Sequence, residues 1–222
     1  MRGRFITFEG GEGTGKSTHA RMLASRLKPL GIDVLLTREP GGSPGAEAIR
    51  HVLLSGAAKP LGAEAETLLF AAARDDHLCQ TIRPALERGE WVICDRFADS
   101  TRVYQGILSH VDPRLITQLE ELIIGNTKPH LTLVLDLPAE VGLFRASHRR
   151  GDAEPDRFER ETIDFHKKLR EAYLELAQRE PDRCVVIDAS ADLNAVAKSI
   201  WSVVNDRLSP AEAPISFGGV SR

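Results

Sequence analysis

The chain has 222 residues, 42% of them hydrophobic and 27% charged, which is enough for one well-packed α/β domain and no more. Its formal net charge of −3 gives no reason to expect general nucleic-acid affinity, so local arginine clusters matter more than the total. Cys79, Cys94 and Cys184 are odd in number and widely spaced, and C-x-x-C and H-E-x-x-H are both absent, so neither a disulfide framework nor a zinc site is suggested.

The first element is an apolar run, Arg4 to Glu9, that opens as a strand. No signal peptide precedes it and no apolar run approaches membrane-spanning length, so a cytoplasmic protein with reduced thiols is expected. The strand runs into Gly10-Gly11-Glu12-Gly13-Thr14-Gly15-Lys16-Ser17-Thr18, which contains G-x-x-x-x-G-K-S, and then into a helical pattern over about 16–28. Strand, glycine loop and helix is the setting of a phosphate-binding loop. Its glycines let backbone N–H groups turn around phosphate oxygens, and the helix N-terminus adds partial positive charge. Lys16 is expected to reach the β- and γ-phosphates of a nucleoside triphosphate, and the Ser17 hydroxyl to sit on Mg²⁺.

A second strand, Asp33 to Thr37, ends in Arg38-Glu39-Pro40-Gly41-Gly42. Helical patterns follow at about 44–55 and 63–88, and Pro84 should restart or kink the second of these. A third strand, Trp91 to Asp95, ends in Asp95-Arg96-Phe97, and Ser100 to Gly106 reads as a polar loop. After a helix at 113–125 and a strand from Leu131 to Leu137 comes a short helical stretch. The segment 145–157 then carries Arg145, Arg149, Arg150 and Arg157 with Gly151 and Pro155, the composition of a mobile lid. A helix at 158–179, a strand from Arg183 to Asp188 and a helix at 192–207 complete a single domain over 1–208, and 209–222 reads as a mobile tail rich in small residues. The strands lack polar alternation, as expected when both faces are covered. Alternation of strands and helices predicts a three-layer α/β/α fold around a five-stranded parallel sheet, with ligands beyond the carboxyl ends of the strands.

Residues at those ends carry the chemistry. A carboxylate at Asp95 is placed to organise Mg²⁺ beside Ser17, or else to cap a helix or pair with Arg96. Arg38 and Arg96, at neighbouring strand ends, suit a clamp for a second phosphate, because guanidinium groups bind phosphate in a forked, charge-assisted way; a surface ion pair is the alternative. Closed over the phosphates, the arginines of 145–157 would exclude water and add positive charge; a solvated loop is the alternative. Phe70 and Arg74, four apart on one helix face, could stack on a base and donate to its carbonyl, or be core packing beside an exposed arginine.

Together these motifs resemble the thymidylate kinase family, from Phe5 to about Leu208. The resemblance is carried by Phe8-Glu9-Gly10 entering the loop, by Thr37-Arg38-Glu39-Pro40-Gly41-Gly42, by Asp95-Arg96-Phe97-x-x-Ser100-x-x-x-Tyr104-Gln105-Gly106, and by Asp156-Arg157-Phe158-Glu159. It implies transfer of the ATP γ-phosphate to dTMP, in dTTP supply, with Mg²⁺ and usually a homodimer. It implies that Arg38 and Arg96 hold the dTMP phosphate, that Phe70 stacks on thymine and that Arg74 donates to O4. Thr101 and Gln105 would line the polar edge of the base, Tyr104 would crowd a 2′-hydroxyl, and Glu12 would approach the 3′-hydroxyl. The phosphate loop lacks the arginine of one family branch, so the lid would supply it, with Arg150 the first choice and Arg149 the next. The lid is a few residues longer than the short bacterial pattern, and Val103 stands where alanine is common.

Two other classes fit parts of the pattern. A kinase for another nucleotide or a nucleoside would share the loop but not the base pocket. A GTPase switch lacks its N-K-x-D and D-x-x-G elements here, and a nucleotide sensor without turnover is the remaining non-enzyme reading.

Overall fold

The computed structural model describes residues 3–151, 154–155 and 157–210. Residues 152, 153 and 156 of the arginine-rich segment, and 211–222 of the tail, lie outside the described residues. Five short runs of β-branched, leucine and aromatic residues form β1 (Phe5–Glu9), β2 (Val34–Arg38), β3 (Trp91–Asp95), β4 (Leu131–Asp136) and β5 (Cys184–Asp188). All pair in parallel, in the order β2-β3-β1-β4-β5. Phe8 lies opposite Asp95, and Arg38 lies opposite Asp95 on the other side. This register brings the ends of β1, β2 and β3 out at one edge of the sheet.

The helices are α1 (Lys16–Leu27), α2 (Pro44–Ser55), α3 (Ala63–His77), α4 (Arg83–Glu87), α5 (Ala98–Thr101), α6 (Pro113–Ile123), α7 (Ala139–Arg150), α8 (Ile163–Arg179) and α9 (Leu193–Leu208). Successive strand side chains point to opposite faces. Ile6, Phe8, Ile93, Leu131, Leu133 and Leu135 meet Leu23 and Leu27 of α1 and Val196, Ile200 and Val204 of α9. On the other face, Phe5, Val92 and Cys94 meet Leu78, Ile82 and Phe97, while Val134 and Cys184 meet Leu169, Tyr173 and Leu176 of α8. Burial on both faces explains the missing polar alternation in β1, β3 and β4, whereas the edge strands β2 and β5 leave Leu36 and Val186 exposed.

Four stretches differ from the sequence expectation. The helix at 63–88 is interrupted by a π-helical turn, Leu78–Ile82, just before Pro84, where the missing N–H and the proline ring disturb the regular ladder. Ser100 to Gly106 is not a loop: α5 continues into a π-helical turn, Arg102–Leu108, because Val103 and Tyr104 are buried against α8. Arg145 to Arg150 is also helical, since α7 continues until Gly151, whose φ of 60° suits the end of a helix. Residues 157–160 form turns, and α8 starts later than expected, at Ile163, with the Thr162 hydroxyl accepting from Phe165 N. Among the described residues no helix is long and apolar enough to cross a membrane.

Candidate active site

The loop between β1 and α1 turns on glycine. Gly10, Gly13 and Gly15 have φ of 128°, 67° and 91°, where a side chain is strained. At Gly13 space is also closed, because a Cβ there would strike the backbone of Gly142 on α7. Gly15 caps α1 without a capping side chain, which leaves the first-turn N–H groups for an anion. The Thr14 hydroxyl donates to Gly11 O at 3.1 Å and holds the loop closed from within.

Lys16 is nearly buried, and its ammonium donates to Gly10 O at 3.1 Å and Gly11 O at 2.6 Å. Burial, then the nearby Arg96 charge, lower its pKa to about 8, while Glu12, Asp95 and Glu9 oppose the shift. The next residue, Ser17, donates through its hydroxyl to the Asp95 carboxylate at the end of β3. That pair is an all-oxygen set suited to a hard cation such as Mg²⁺, which takes few protein ligands and leaves positions for phosphate and water. Among the described residues no group of three or more His, Cys, Asp or Glu side chains forms a separate metal site.

Arg96 follows Asp95 with φ of 70°, a left-handed backbone that is uncommon for any residue other than glycine. Its Nη1 donates to Gly10 O at 3.1 Å, Ser100 Oγ at 3.3 Å and the Tyr173 hydroxyl at 3.1 Å. Its Nη2 donates to Glu12 Oε1 at 2.6 Å, and the guanidinium lies 5.3 Å from the Tyr104 ring centroid. Burial alone would raise the Glu12 carboxyl, but Arg96 and Lys16 outweigh it and hold it at about 2. Glu9, fully buried, accepts from Phe97 N at 2.8 Å and Ser100 Oγ at 2.7 Å. Burial and the Asp99 carboxylate push its pKa up to about 7, against the pull of Arg96.

Across the cleft, α3 presents Phe70 and Arg74 together. Arg74 is buried, which removes the reading of a simple exposed arginine. Its Nε donates to Glu39 Oε2 at 2.8 Å, and its Nη2 to Thr101 Oγ1 at 3.0 Å and Phe97 O at 3.2 Å. Glu39 is fixed from its other oxygen by His77 Nδ1 at 3.0 Å, and His77 Nε2 lies 2.7 Å from Thr37 Oγ1. Buried Thr101, Tyr104 and Gln105 come from α5 and the π-helical turn after it. Arg38 is half exposed and pairs with Glu47 at 2.8 Å.

One cleft of about 350 Å³ gathers these groups, with Lys16, Ser17 and Asp95 at one end and Phe70, Arg74, Thr101 and Gln105 at the other. Arg38, Arg96 and Tyr104 line it as well. Of the lid arginines, Arg149 lines the cleft. Arg150 instead donates to Glu159 Oε2 at 2.7 Å, and Arg145 to Ala189 O at 3.0 Å. Arg157 pairs with Glu66 of α3, so the far side of segment 145–157 is anchored to the helix that carries Phe70 and Arg74.

Sequence reasoning passed over Glu39, Arg50 and Tyr173. Glu39 stood in the Arg-Glu-Pro-Gly-Gly element, but nothing there says that its partner is Arg74. Arg50 lines the cleft and donates to Pro40 O; an arginine in a helix pattern carries no signal of that. Tyr173 reads as an apolar position of α8.

A glycine loop closing on an uncapped helix, at the carboxyl edge of a parallel sheet with a Ser17–Asp95 pair beside it, defines a P-loop nucleotide-binding protein. A family model described as thymidylate kinase matches residues 8–200. The thymidylate kinase of Nitrobacter winogradskyi is 62% identical over 213 residues, covering 96% of this chain and 93% of that protein. That of Bradyrhizobium diazoefficiens is 61% identical over 214 residues, covering 96% and 94%. The crystal structure of thymidylate kinase from Ehrlichia chaffeensis superposes with a TM-score of 0.73 at 34% identity, covering 92% of this chain and 99% of that one. The chain belongs to the thymidylate kinase family.

Proposed function

We infer that the protein transfers the γ-phosphate of ATP to dTMP, giving ADP and dTDP, as a step of dTTP biosynthesis. The observation that carries this reading is the single cleft joining the phosphate loop to the Arg96 and Phe70–Arg74 groups. ATP would lay its phosphates along the loop from Gly10 to Thr18, with Lys16 exchanging loop carbonyls for phosphate oxygens. Ser17 and Asp95 would hold Mg²⁺, which neutralises phosphate charge when bound. Arg38 and Arg96 would take the dTMP phosphate, and release of Nη2 from Glu12 would free the carboxylate for the 3′-hydroxyl.

Phe70 would stack on thymine, with Thr101 and Gln105 along its polar edge. Arg74 is held by Glu39, Thr101 and Phe97 O, which leaves its Nη1 to donate to O4; the amino group of cytosine, itself a donor, would be rejected there. Uracil lacks only a methyl, worth roughly 0.8 kcal/mol, so dUMP should be a poor acceptor and not an excluded one. Tyr104 would stand against the sugar. The acceptor oxygen is already anionic, so no strong general base and no covalent intermediate are required. Catalysis is then positioning and charge neutralisation, with Lys16 and the lid arginines as the principal cations. The position of Arg149 on the cleft wall supports its part in transfer. Arg150 would have to leave Glu159 to join it.

We also propose a single domain over 1–208, a cytoplasmic location and a homodimer. Leu122 of α6 is 81% exposed and Leu68 of α3 is 50% exposed, while Ile116 and Ile124 are buried, so part of the apolar stripe at 113–125 faces outward. ADP release with ATP and Mg²⁺ against dTMP, dUMP, dCMP, AMP and thymidine tests the reaction. Strong preference for dTMP is expected; preference for another acceptor would retain a kinase and discard the base pocket.

A further inference from the structure

The Arg96 guanidinium is held from a helix that the proposed chemistry does not use. Tyr173 belongs to α8 and is 1% exposed, with its ring among Leu169, Ala172 and Leu176. Its hydroxyl lies deep in the protein, where it needs polar partners. They are three groups of the acceptor side: Arg96 Nη1 at 3.1 Å, Ser100 Oγ at 2.8 Å and Glu9 Oε2 at 3.1 Å.

Proton accounting orders these contacts. Arg96 can only donate, each hydroxyl has one proton, and Glu9, once ionised above its pKa of about 7, can only accept. The Ser100 proton goes to Glu9 Oε2 at 2.7 Å, which leaves Ser100 Oγ free to accept from Tyr173. Tyr173 then accepts from Arg96 Nη1. The result is a buried chain from cation to anion through two hydroxyls, a setting in which each link strengthens the next. Burial, with Glu9 adding to it, holds the Tyr173 phenol well above its ordinary pKa, so it stays a neutral hydroxyl. Only Nη1 is engaged by this chain and by Gly10 O. Nη2 faces Glu12, at the open side of the site.

We propose that Tyr173 is a positioning residue for phosphate acceptance, its hydroxyl fixing Nη1 of Arg96 so that Nη2 is aimed at the acceptor phosphate. The inference rests on reading Arg96 as a ligand of the dTMP phosphate. It also ties α8, the helix that follows the lid segment, to the acceptor side of the cleft.

Calorimetric titration with dTMP and with thymidine, which lacks the phosphate, tests it in three variants. Tyr173→Phe should weaken dTMP roughly three- to tenfold, the size of one ordinary net hydrogen bond, and leave thymidine within about twofold. Ser100→Ala removes the middle link but leaves Tyr173 within 3.1 Å of Glu9 Oε2, so it should give a smaller loss that is equally selective for dTMP. Arg96→Ala should abolish most of the preference for dTMP over thymidine. If Arg96→Ala does so while Tyr173→Phe and Ser100→Ala match the wild type, the positioning role is overturned and the reading of Arg96 stands. Equal weakening of both ligands by Tyr173→Phe would make the residue a packing element and overturn the proposal. An unchanged preference in Arg96→Ala would overturn the underlying reading and the inference with it.

Discussion

Replacing Gly142 by alanine should destabilise the protein, although alanine is the better helix former. In an open helix interior the exchange is worth roughly 0.5–1 kcal/mol in favour of alanine. Here α7 packs directly on the phosphate loop. The new Cβ would fall inside contact distance of the Glu12 carbonyl oxygen, and the approach is so close that a Cβ at Gly13 would in turn strike the Gly142 carbonyl. Both partners are backbone, so no side chain can swing away, and the helix and loop must separate. Overpacking costs about 1–3 kcal/mol and a clash with backbone lies in the upper half of that range, which leaves a net loss of roughly 1–2 kcal/mol. For a chain of this size that is a Tm fall of about 2–8 °C. Displacing the loop N–H groups should raise the KM for ATP as well. Thermal melts paired with ATP titrations read both effects. A Tm that rises by a few degrees with KM for ATP unchanged would refute the argument.

Three further outcomes follow from the site. Lys16→Ala should lose several orders of magnitude in kcat with the circular dichroism spectrum and Tm nearly kept; an active Lys16→Ala enzyme would remove the lysine from the mechanism. Arg149→Ala and Arg150→Ala should each lower kcat more than they raise KM for dTMP, and steady-state assays would show the opposite split if these arginines only bind the acceptor. Glu9 has its carboxyl raised from 4.5 to about 7 in the folded state, mainly by burial. Between those values the folded chain keeps a proton that the unfolded chain has lost, so this group's contribution to stability falls as pH rises. Glu9→Gln should therefore gain stability relative to wild type as pH climbs from about 4.5 to 7; urea unfolding at several pH values that gives a flat or falling difference would contradict the shift.

The sheet was legible in the sequence because its strands are short apolar runs, broken only by threonine, that each end in a charged residue. The phosphate loop was legible because glycine, lysine and serine each have a chemical reason to stand where they do. What escaped was mostly helical structure under polar sequence. Arg145 to Arg150 reads as a charged loop, yet α7 needs only one apolar strip to pack, and Ala146 is buried while Arg145 and Arg149 are exposed. Ser100 to Gly106 was hidden in the same way, since its hydroxyls and amide face the cleft while Val103 supplies the burial. Pairings between distant elements were also invisible. That Glu39 binds Arg74, that Glu159 binds Arg150 and that Tyr173 reaches Arg96 depends on how α3, the lid and α8 lie against the sheet. Local spacing holds no trace of such contacts.

The central claim is that phosphate leaves ATP and arrives on dTMP within one cleft. The most direct test supplies ATP carrying a labelled γ-phosphate, with Mg²⁺ and dTMP, and resolves the products. The label should appear in dTDP, one for each ADP formed, with little inorganic phosphate. Label released as inorganic phosphate, at a rate indifferent to dTMP, would contradict the account.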